Sequence, residues 1–348
     1  MTSLFWPVIV ILLAGLIEIS SISSHLFFLQ LFWAGIGFLL VFLFTRIDWR
    51  SLLNHRSFIW GFYGFSVLLL VVAAASSPII RNTRSWIVLG PMSFQPVELA
   101  KIALILVYAQ YFSRRHLAVA RWGNIFTSFL LFSVPAGLTA IQPDLGSALI
   151  LFGIWFGFLL VSGLPRNRVL IAFLLFAVVG LFMWQSVLKD YQRERIRGVF
   201  YPEENARTIN YSVIQSKIAI GSAGLFGKGY HQGPQTQLGF LTEPSNDFIL
   251  AALIEEWGFV AGFAVVGAFL AFVLAVLRVG IAAGQNFEKF ICLGAAMVFG
   301  LHFLLNAGSA IGIFPVVGVT FPFLSYGGSS LFTSFFLFAI VYAIARKF

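Results

Sequence analysis

Hydrophobic residues occupy long, nearly unbroken runs along the whole chain, and short polar segments separate them. A helix needs about 20 predominantly apolar residues to cross roughly 30 Å of hydrocarbon, and runs of this kind recur from one end of the chain to the other. The pattern predicts an all-α polytopic integral membrane protein, a single transmembrane domain over residues 1–348. Ten spans are predicted, at 4–20, 25–45, 57–76, 96–113, 124–142, 145–163, 167–187, 248–277, 287–309 and 329–345.

Composition excludes a water-soluble fold. The 348 residues are 59% hydrophobic and 10% charged, with a mean hydropathy of +0.94, whereas about 25% of the residues in a soluble domain are charged. A soluble fold of this length could not hide so much apolar surface. The net charge of +9 does not indicate a nucleic-acid partner, because no basic patch with interleaved aromatic residues lies outside the predicted spans and their flanks.

Lysine and arginine in the short loops predict the orientation, because these residues are enriched on the cytoplasmic side. One set of loops and tails holds twelve of them, whereas the opposite short loops hold only Arg81 and Arg84. Both termini are therefore predicted to be cytoplasmic, which agrees with an even number of helices. The twelve are Arg46, Arg50, Arg56, Arg114, Arg115, Arg121, Arg166, Arg168, Arg278, Lys289, Arg346 and Lys347.

Residues 188–247 form the one long connection, and the predicted topology places them outside the cytoplasmic membrane, between the seventh and eighth helices. Long loops in compact proteins are usually functional or disordered. A charged stretch at 190–205 is followed by 210–220, whose apolar spacing is compatible with a short interfacial helix. The glycine-rich turn at 221–229 either presents backbone N–H groups to an anion or is a flexible connector.

Basic residues exceed acidic residues in this loop, with seven bases and five acids before Asp247, a difference of two. A positive excess at a membrane surface suits a diphosphate or an anionic headgroup, and equally suits ordinary contact with membrane lipid. The seven bases are Lys189, Arg193, Arg195, Arg197, Arg207, Lys217 and Lys228.

Asp247 stands where the long loop meets the eighth predicted span. An aspartate in this position commonly caps the N-terminus of the helix. It also lies between a polar loop and an apolar helix, where partial desolvation can tune a general base. Both roles remain open from the residues alone.

Other acidic residues lie in or next to the predicted spans, where charges are costly and need a partner or a wet cavity. Glu98 and Lys101 are three residues apart, hence on one helical face, and form either a structural ion pair or part of a site. Glu255 and Glu256 add negative charge beyond Asp247, and Asp144 is expected to cap the sixth helix.

The last outer loop, 312–330, contains no charged residue and is rich in glycine and proline. These residues cannot continue a helix, and non-helical backbone at membrane depth is tolerated only where protein or a cavity covers it. The loop is therefore predicted to be a re-entrant segment beside a binding site.

Several motifs, in a fixed order along nearly the whole chain, resemble those of the SEDS family (shape, elongation, division and sporulation), and most closely those of its rod-shape members, with the division members next. The motifs are 86–90 with 94–101, Gln142-Pro143-Asp144-Leu145-Gly146-Ser147-Ala148, Tyr191-Gln192-Arg193-Glu194-Arg195-Ile196, 215–222, Gly227-Lys228-Gly229, Asn246-Asp247-Phe248-Ile249 and 322–329. The sequence departs from the family pattern at 242–246, directly before the aspartate.

The resemblance implies a peptidoglycan glycosyltransferase in the bacterial cytoplasmic membrane that polymerises lipid II, the undecaprenyl-diphosphate-linked disaccharide pentapeptide, beside a class B penicillin-binding protein. Asp247 matches the family's essential loop aspartate. Functional or structurally critical family positions are matched by Trp86, Glu98, Lys101, Asp144 and Ser325.

On this resemblance Asp247 is the expected catalytic base of an inverting transfer that releases undecaprenyl diphosphate. The leaving diphosphate must be neutralised, either by a divalent cation, Mg or Mn, for which Asp247 is a candidate ligand, or by basic residues of the loop. The candidates are Arg193, Arg195, Lys217 and Lys228. Three alternatives stay open: a lipid II flippase, a scaffold for the penicillin-binding protein, and a division-type polymerase.

Overall fold

The computed structural model describes residues 2–46, 53, 55–80, 83–89, 92–114, 122–163, 165–186, 188–201 and 210–346. Some residues used in the sequence analysis lie outside these ranges: Arg50, Arg81, Gly90, Arg115, Arg121, Arg207 and Lys347. The described helices are α1 (Thr2–Ile22), α2 (Ser24–Arg46), α3 (Arg56–Ser76), α4 (Pro96–Ser113), α5 (Trp122–Ile141), α6 (Leu145–Val161), α7 (Arg166–Ser186), α8 (Asp190–Phe200), α9 (Tyr211–Ser222), α10 (Pro234–Gln237), α11 (Ile249–Ala282), α12 (Asn286–Ile311) and α13 (Gly328–Ala345).

Each of the ten predicted spans lies on one of these helices, and the all-α membrane fold is confirmed. Seven of the described helices, α1, α2, α3, α5, α11, α12 and α13, are long and apolar enough to cross a membrane. Ten crossings and cytoplasmic termini stay predictions. In the long loop, α8 occupies the charged stretch and α9 occupies the predicted short helix.

Helix α4 lies at the centre of the bundle. Fifteen of its 18 residues are buried, as is typical of a helix that is apolar on all sides, and it packs against α3, α6 and α12. A short antiparallel hairpin, β1 (Ile87–Leu89) and β2 (Met92–Phe94), leads into it. Since α4 carries Glu98 and Lys101, these charges are fixed within the protein core.

Helix α11 is interrupted at Gly258, whose φ of 80° and ψ of 178° are not helical. A break leaves carbonyl and N–H groups without helical partners, and the glycine-rich turn supplies them. The N–H groups of Lys228 and Gly229 donate to the carbonyl oxygens of Glu255 and Glu256, each at 2.9 Å. The expectation that this turn presents those N–H groups to an anion is therefore wrong, because they brace the break.

The other side of the break is braced in the same way. The N–H groups of Phe259 and Val260 donate to the carbonyl oxygens of Gly224 and Leu225 at 3.1 and 3.2 Å. A Cβ atom on Gly258 would lie 2.2 Å from the Leu225 carbonyl oxygen. Only glycine fits at position 258, because the residue has a positive φ and because the backbone of the glycine-rich turn leaves no room for a side chain.

The Glu255 and Glu256 carboxylates are fully buried beside this brace. Glu255 accepts hydrogen bonds from the backbone N–H groups of Gln235 and Thr236, at 2.8 and 3.0 Å, where α10 begins. A carboxylate at a helix N-terminus satisfies N–H groups that have no helical partner. The loop is thus held to α11 by side chains as well as by its backbone.

The neighbouring carboxylate joins a different element to the loop. Glu256 accepts from the backbone N–H of His231 at 3.1 Å, from the Gln237 side-chain amide at 2.9 Å and from the Ser21 hydroxyl of α1 at 2.7 Å. Three donors satisfy the buried charge. Glu256 therefore ties α1, α11 and the loop together.

Candidate active site

A cavity of about 300 Å³ opens where the N-terminal parts of α2, α4, α6 and α13 meet α12 and the segment before α11. Its lining includes four residues selected from the sequence: Trp86, Glu98, Lys101 and Asp247. All the helix ends that line this cavity lie on the side of the membrane that the distribution of basic residues predicts to be outside. The structure therefore brings together residues that are up to 161 positions apart, counting from 86 to 247.

Asp247 is half-buried at the cavity wall. Helix α11 begins at Ile249 with Phe248 as its N-cap, and that cap has no side-chain hydrogen bond. Asp247 therefore stands one residue before the N-cap position, and its capping role stays a prediction beside its place on the cavity wall. A partly desolvated carboxylate next to a cavity is an environment in which a general base operates.

Asn306 of α12 fixes the backbone around Asp247. Its side-chain N–H₂ group lies 2.8 Å from the Val319 carbonyl oxygen, and 3.3 and 3.2 Å from those of Asn246 and Asp247. Asn306 is buried, so one amide joins the Asp247 segment to the last outer loop. Because an amide N–H₂ has two hydrogens, the two longer contacts share one of them.

Ser325 holds the same segment from the other side. Its hydroxyl donates to the Asn246 carbonyl oxygen and accepts from the Phe321 N–H, both at 2.8 Å. The N–H of Tyr326 also donates to the Ser245 carbonyl oxygen at 2.8 Å. Ser325 is buried and does not line the cavity, which makes it a positioning residue for the backbone next to Asp247.

The last outer loop folds against α12 and lines the cavity with Gly318, Val319 and Thr320. Side chains of other elements bond to its irregular backbone: Asn306 donates to the Val319 carbonyl oxygen and Arg195 to that of Val316. Phe323 adopts a φ of 64°, a conformation that non-glycine residues rarely adopt. Its side chain is buried in an aromatic cluster with Phe335 and Phe272, with ring centroids 5.3 and 5.6 Å away.

Glu98 and Lys101 form the predicted pair on one face of α4. The Lys101 ammonium lies 2.8 Å from Glu98 Oε1, and the two residues are 0% and 5% exposed. The ammonium also lies 2.8 Å from Nε2 of His302, whose Nδ1 is 3.1 Å from the Thr320 carbonyl oxygen. The ion pair and the cavity wall are therefore one connected network.

Asp144 caps α6, as predicted. It accepts hydrogen bonds from the Ser147 N–H at 3.1 Å and hydroxyl at 2.8 Å, and from the Gln95 side-chain amide at 2.7 Å. Burial raises the pKa of the Asp144 carboxyl above its ordinary value, although the Ser147 hydrogen bonds and the Lys101 charge act in the opposite direction. Ser147 and Gln95 line the cavity whereas Asp144 does not, so Asp144 supports the wall.

The four basic residues proposed from the long loop do not line the Asp247 cavity. Arg195 and Lys217 line a neighbouring cleft between α8, α9 and the loop after α12, where Arg195 donates to the Val316 carbonyl oxygen at 3.2 Å. Arg193 pairs with an aspartate of its own helix at 3.5 Å, and Lys228 is exposed. The cleft and the cavity share one wall, because the loop after α12 lines both.

A second, larger cavity of about 690 Å³ lies between α5, α6, α7 and α8. Apart from Ser133 and Arg168, the residues that line it are apolar or aromatic. The lining follows α5 from Trp122 to Ala140, a rise of about 27 Å at 1.5 Å per residue. An apolar slot of this length is comparable with the thickness of the hydrocarbon core.

Sequence reasoning missed His302 and Asn306. They are four residues apart on α12, hence on one face, and polar side chains on one face of an apolar helix are an intramembrane signal for function. The signal was present in the sequence, but the partners of these two residues lie on other helices and in a loop.

Known proteins resemble this chain over its full length. The family model FTSW_RODA_SPOVE, described as "Cell cycle protein", matches residues 1–348. The peptidoglycan glycosyltransferase MrdB of Escherichia coli K12 is 36% identical over 282 residues, which are 81% of this chain and 76% of that protein. The peptidoglycan glycosyltransferase RodA of Treponema pallidum is 30% identical over an alignment of 399 positions, gaps included, which covers 94% of this chain and 91% of that protein.

Solved structures share the fold. A chain from a study of structural coordination of polymerization and crosslinking by a peptidoglycan synthase complex superposes with a TM-score of 0.86 at 28% identity, covering 100% of this chain and 98% of that one. The crystal structure of the rod shape determining protein RodA from Thermus thermophilus gives 0.74 at 28% identity, with 99% and 96% covered. The chain therefore belongs to the FtsW, RodA and SpoVE family of cell cycle proteins, the SEDS family whose motifs its sequence carries.

Proposed function

We propose that this membrane protein is a peptidoglycan glycosyltransferase that polymerises lipid II into glycan strands during cell-wall elongation and shape maintenance. The relatives named peptidoglycan glycosyltransferase support the activity. The observation that carries the proposal is Asp247, a half-buried carboxylate in a polar cavity that also holds Glu98 and Lys101.

The proposed reaction is an inverting glycosyl transfer. Asp247 removes the proton from the sugar 4-hydroxyl of the acceptor lipid II while that oxygen bonds to the anomeric carbon of the growing chain. The bond from this carbon to the diphosphate oxygen breaks, and undecaprenyl diphosphate leaves with the electron pair. General base catalysis of this type contributes about a hundredfold to ten-thousandfold.

Charge that develops on the leaving diphosphate needs a positive partner in the transition state. Arg195 and Lys217 are the loop bases best placed for this role, because their cleft shares the loop after α12 with the Asp247 cavity. Lys101 offers a second cation inside the cavity itself. We assign diphosphate contacts to Arg195 and Lys217 before Arg193 and Lys228.

We propose a divalent cation, Mg or Mn, only as an ion that the protein and the substrate bind together. Among the residues that the structure describes, no group of three or more His, Cys, Asp or Glu side chains could hold a metal ion. Mg²⁺ is commonly bound by one or two carboxylates together with substrate phosphates, so Asp247 fits as its protein ligand. When bound, the cation supplies charge neutralisation to the diphosphate.

The lipid tail of the substrate requires an apolar path next to the polar cavity. The slot between α5, α6, α7 and α8 is an apolar cavity of about 690 Å³. Both cavities touch the N-terminal part of α6, through Leu145 in the slot and Ser147 in the polar cavity. This adjacency supports a substrate whose headgroup and tail occupy different compartments.

The proposed setting is the bacterial cytoplasmic membrane, with the cavity facing outside. It is supported by the concentration of basic residues on the opposite side. The proposed partner is a class B penicillin-binding protein, as suggested by a structural neighbour from a peptidoglycan synthase complex. An elongation role is favoured over a division role by the MrdB and RodA relatives.

The test is polymerisation of labelled lipid II by the purified chain, with and without chelator and with the penicillin-binding protein added back. Asp247→Asn should abolish glycan oligomers and keep the thermal unfolding midpoint. The matched control is Asp190→Asn, a carboxylate of the same loop whose side chain is 94% exposed. Full activity of the Asp247 variant would refute the base assignment, and scrambling of lipid II without polymer would favour the flippase.

A further inference from the structure

His302 is a buried imidazole with two defined neighbours. It is 4% exposed on α12, where a polar side chain inside an apolar helix is costly unless it is satisfied. Nε2 lies 2.8 Å from the Lys101 ammonium, and Nδ1 lies 3.1 Å from the Thr320 carbonyl oxygen. The ring therefore bridges the ion pair of α4 and the loop that forms the opposite cavity wall.

The two neighbours fix the tautomer of the ring. A carbonyl oxygen only accepts hydrogen bonds, so Nδ1 must carry the hydrogen. A lysine ammonium only donates, so Nε2 must present its lone pair. His302 is therefore neutral, with its single hydrogen on Nδ1.

The same contacts orient Lys101. An ammonium has three N–H donors in a tetrahedral arrangement. One points to Glu98 Oε1 and one to His302 Nε2, both at 2.8 Å, and these two directions determine the third. Lys101 is 0% exposed and belongs to the wall of the cavity that Asp247 also lines.

We propose that His302 is a positioning residue that aims the remaining N–H of Lys101 at a substrate oxygen, either a sugar hydroxyl or a phosphate oxygen, inside the Asp247 cavity. The inference rests on the proposed glycosyl transfer for its functional consequence. The imidazole does not touch the reacting atoms and acts through the lysine. The same ring also fixes the position of the Thr320 backbone, which is part of the same wall, relative to the Lys101 ammonium.

Two substitutions separate the two contacts of the ring. In His302→Gln the side-chain amide oxygen can take the place of Nε2 and accept from Lys101. In His302→Asn the shorter amide can take the place of Nδ1 and donate to Thr320, but it does not reach the lysine. If aiming Lys101 is the role, the glutamine variant keeps the KM for lipid II, whereas the asparagine variant raises KM by about tenfold, the size of one lost polar contact.

The first measurement is ¹⁵N NMR of histidine in the full chain, reconstituted in lipid bilayers. We expect a neutral imidazole protonated on Nδ1 whose signal disappears in His302→Gln and whose Nε2 shift changes in Lys101→Met. The difference spectrum is needed because His231 Nδ1 also contacts a carbonyl oxygen, that of Ser21 at 2.9 Å. An Nε2-protonated or doubly protonated ring at position 302 would overturn the proposal.

The second measurement is the KM and kcat of polymerisation for both variants, with Ser309→Ala as the matched control on the same helix. The Ser309 hydroxyl bonds only to the Asn306 carbonyl oxygen of its own turn, so its KM should not change. An asparagine variant that matches the glutamine variant in KM would also overturn the proposal. If the unaltered chain forms no polymer, the proposed function fails, while the NMR result still decides the tautomer and the lysine contact.

Discussion

Two buried acidic regions lie within ten residues of each other along the chain and serve different ends. Glu255 and Glu256 are fully enclosed, and their oxygens accept from backbone and side-chain donors of the loop and of α1. Asp247 is half-buried and borders a cavity, with a buried lysine in the same lining. The enclosed carboxylates hold the fold together, whereas the carboxylate on the cavity wall lies where a bound molecule can reach it.

Among the substitutions that test this comparison of enclosed and cavity-lining charges, Glu98→Gln should have the largest effect. It is expected to lower the free energy of unfolding by about 3–5 kcal/mol, because it leaves the Lys101 charge buried without its partner. Denaturation of the purified protein measures the loss. The matched control is the double variant Glu98→Gln/Lys101→Met, which removes both charges and should recover much of the stability while polymerisation stays impaired. A double variant with normal polymerisation would make the pair purely structural.

On the enclosed side, Glu255→Gln is expected to destabilise the protein by about 1–3 kcal/mol, because a neutral amide cannot accept all the hydrogen bonds that now end on the carboxylate. The rate per folded molecule should be unchanged. Thermal unfolding and a polymerisation assay on the same sample measure both quantities. Lost activity at normal stability would place Glu255 in the active site and remove the contrast with Asp247.

Lys217→Gln sharpens the comparison by testing whether chemistry extends beyond the cavity into the neighbouring cleft. Lys217 lines the cleft and packs against Gly312, where a Cβ atom would lie 2.5 Å from its Cε. We expect KM for lipid II to rise about tenfold, equivalent to ~1.4 kcal/mol. The exposed Lys228→Gln is the control and should stay within about 0.5 kcal/mol. Equal effects of the two substitutions would contradict a specific diphosphate site.

The smallest effect is expected for Ser325→Ala, about 1 kcal/mol of stability, because one donor and one acceptor are lost together. The rate should fall as well, since the Asn246 carbonyl next to Asp247 loses a tie. Ser222→Ala is the control, since its hydroxyl bonds only within its own helix at 3.2 Å. Normal polymerisation by Ser325→Ala would mean that Asn306 and the Tyr326 N–H suffice to hold the segment.

Much of the fold was predictable because each apolar run is a local property of the chain. The same holds for the caps and pairs within one helix, such as Asp144 with Ser147 and Glu98 with Lys101. The family motifs added Trp86 and Asp247, and the structure places both on one cavity.

What the sequence could not supply were contacts between distant segments. The glycine-rich turn has the composition of an anion-binding loop, and only the break at Gly258 explains where its N–H groups go. Asp247 precedes a helix, and its position on the wall of a cavity formed by distant segments is not visible from that local pattern. The contact of His302 with Lys101 joins residues that are 201 positions apart, and no periodicity relates them.

The ties from α12 to the Asp247 segment and to the last outer loop end on main-chain carbonyl oxygens, those of Asn246 and Asp247 in the first and of Val319 and Thr320 in the second. Every amino acid supplies such an oxygen, whatever its side chain. The side chains around the aspartate can therefore be exchanged without releasing the scaffold that holds it.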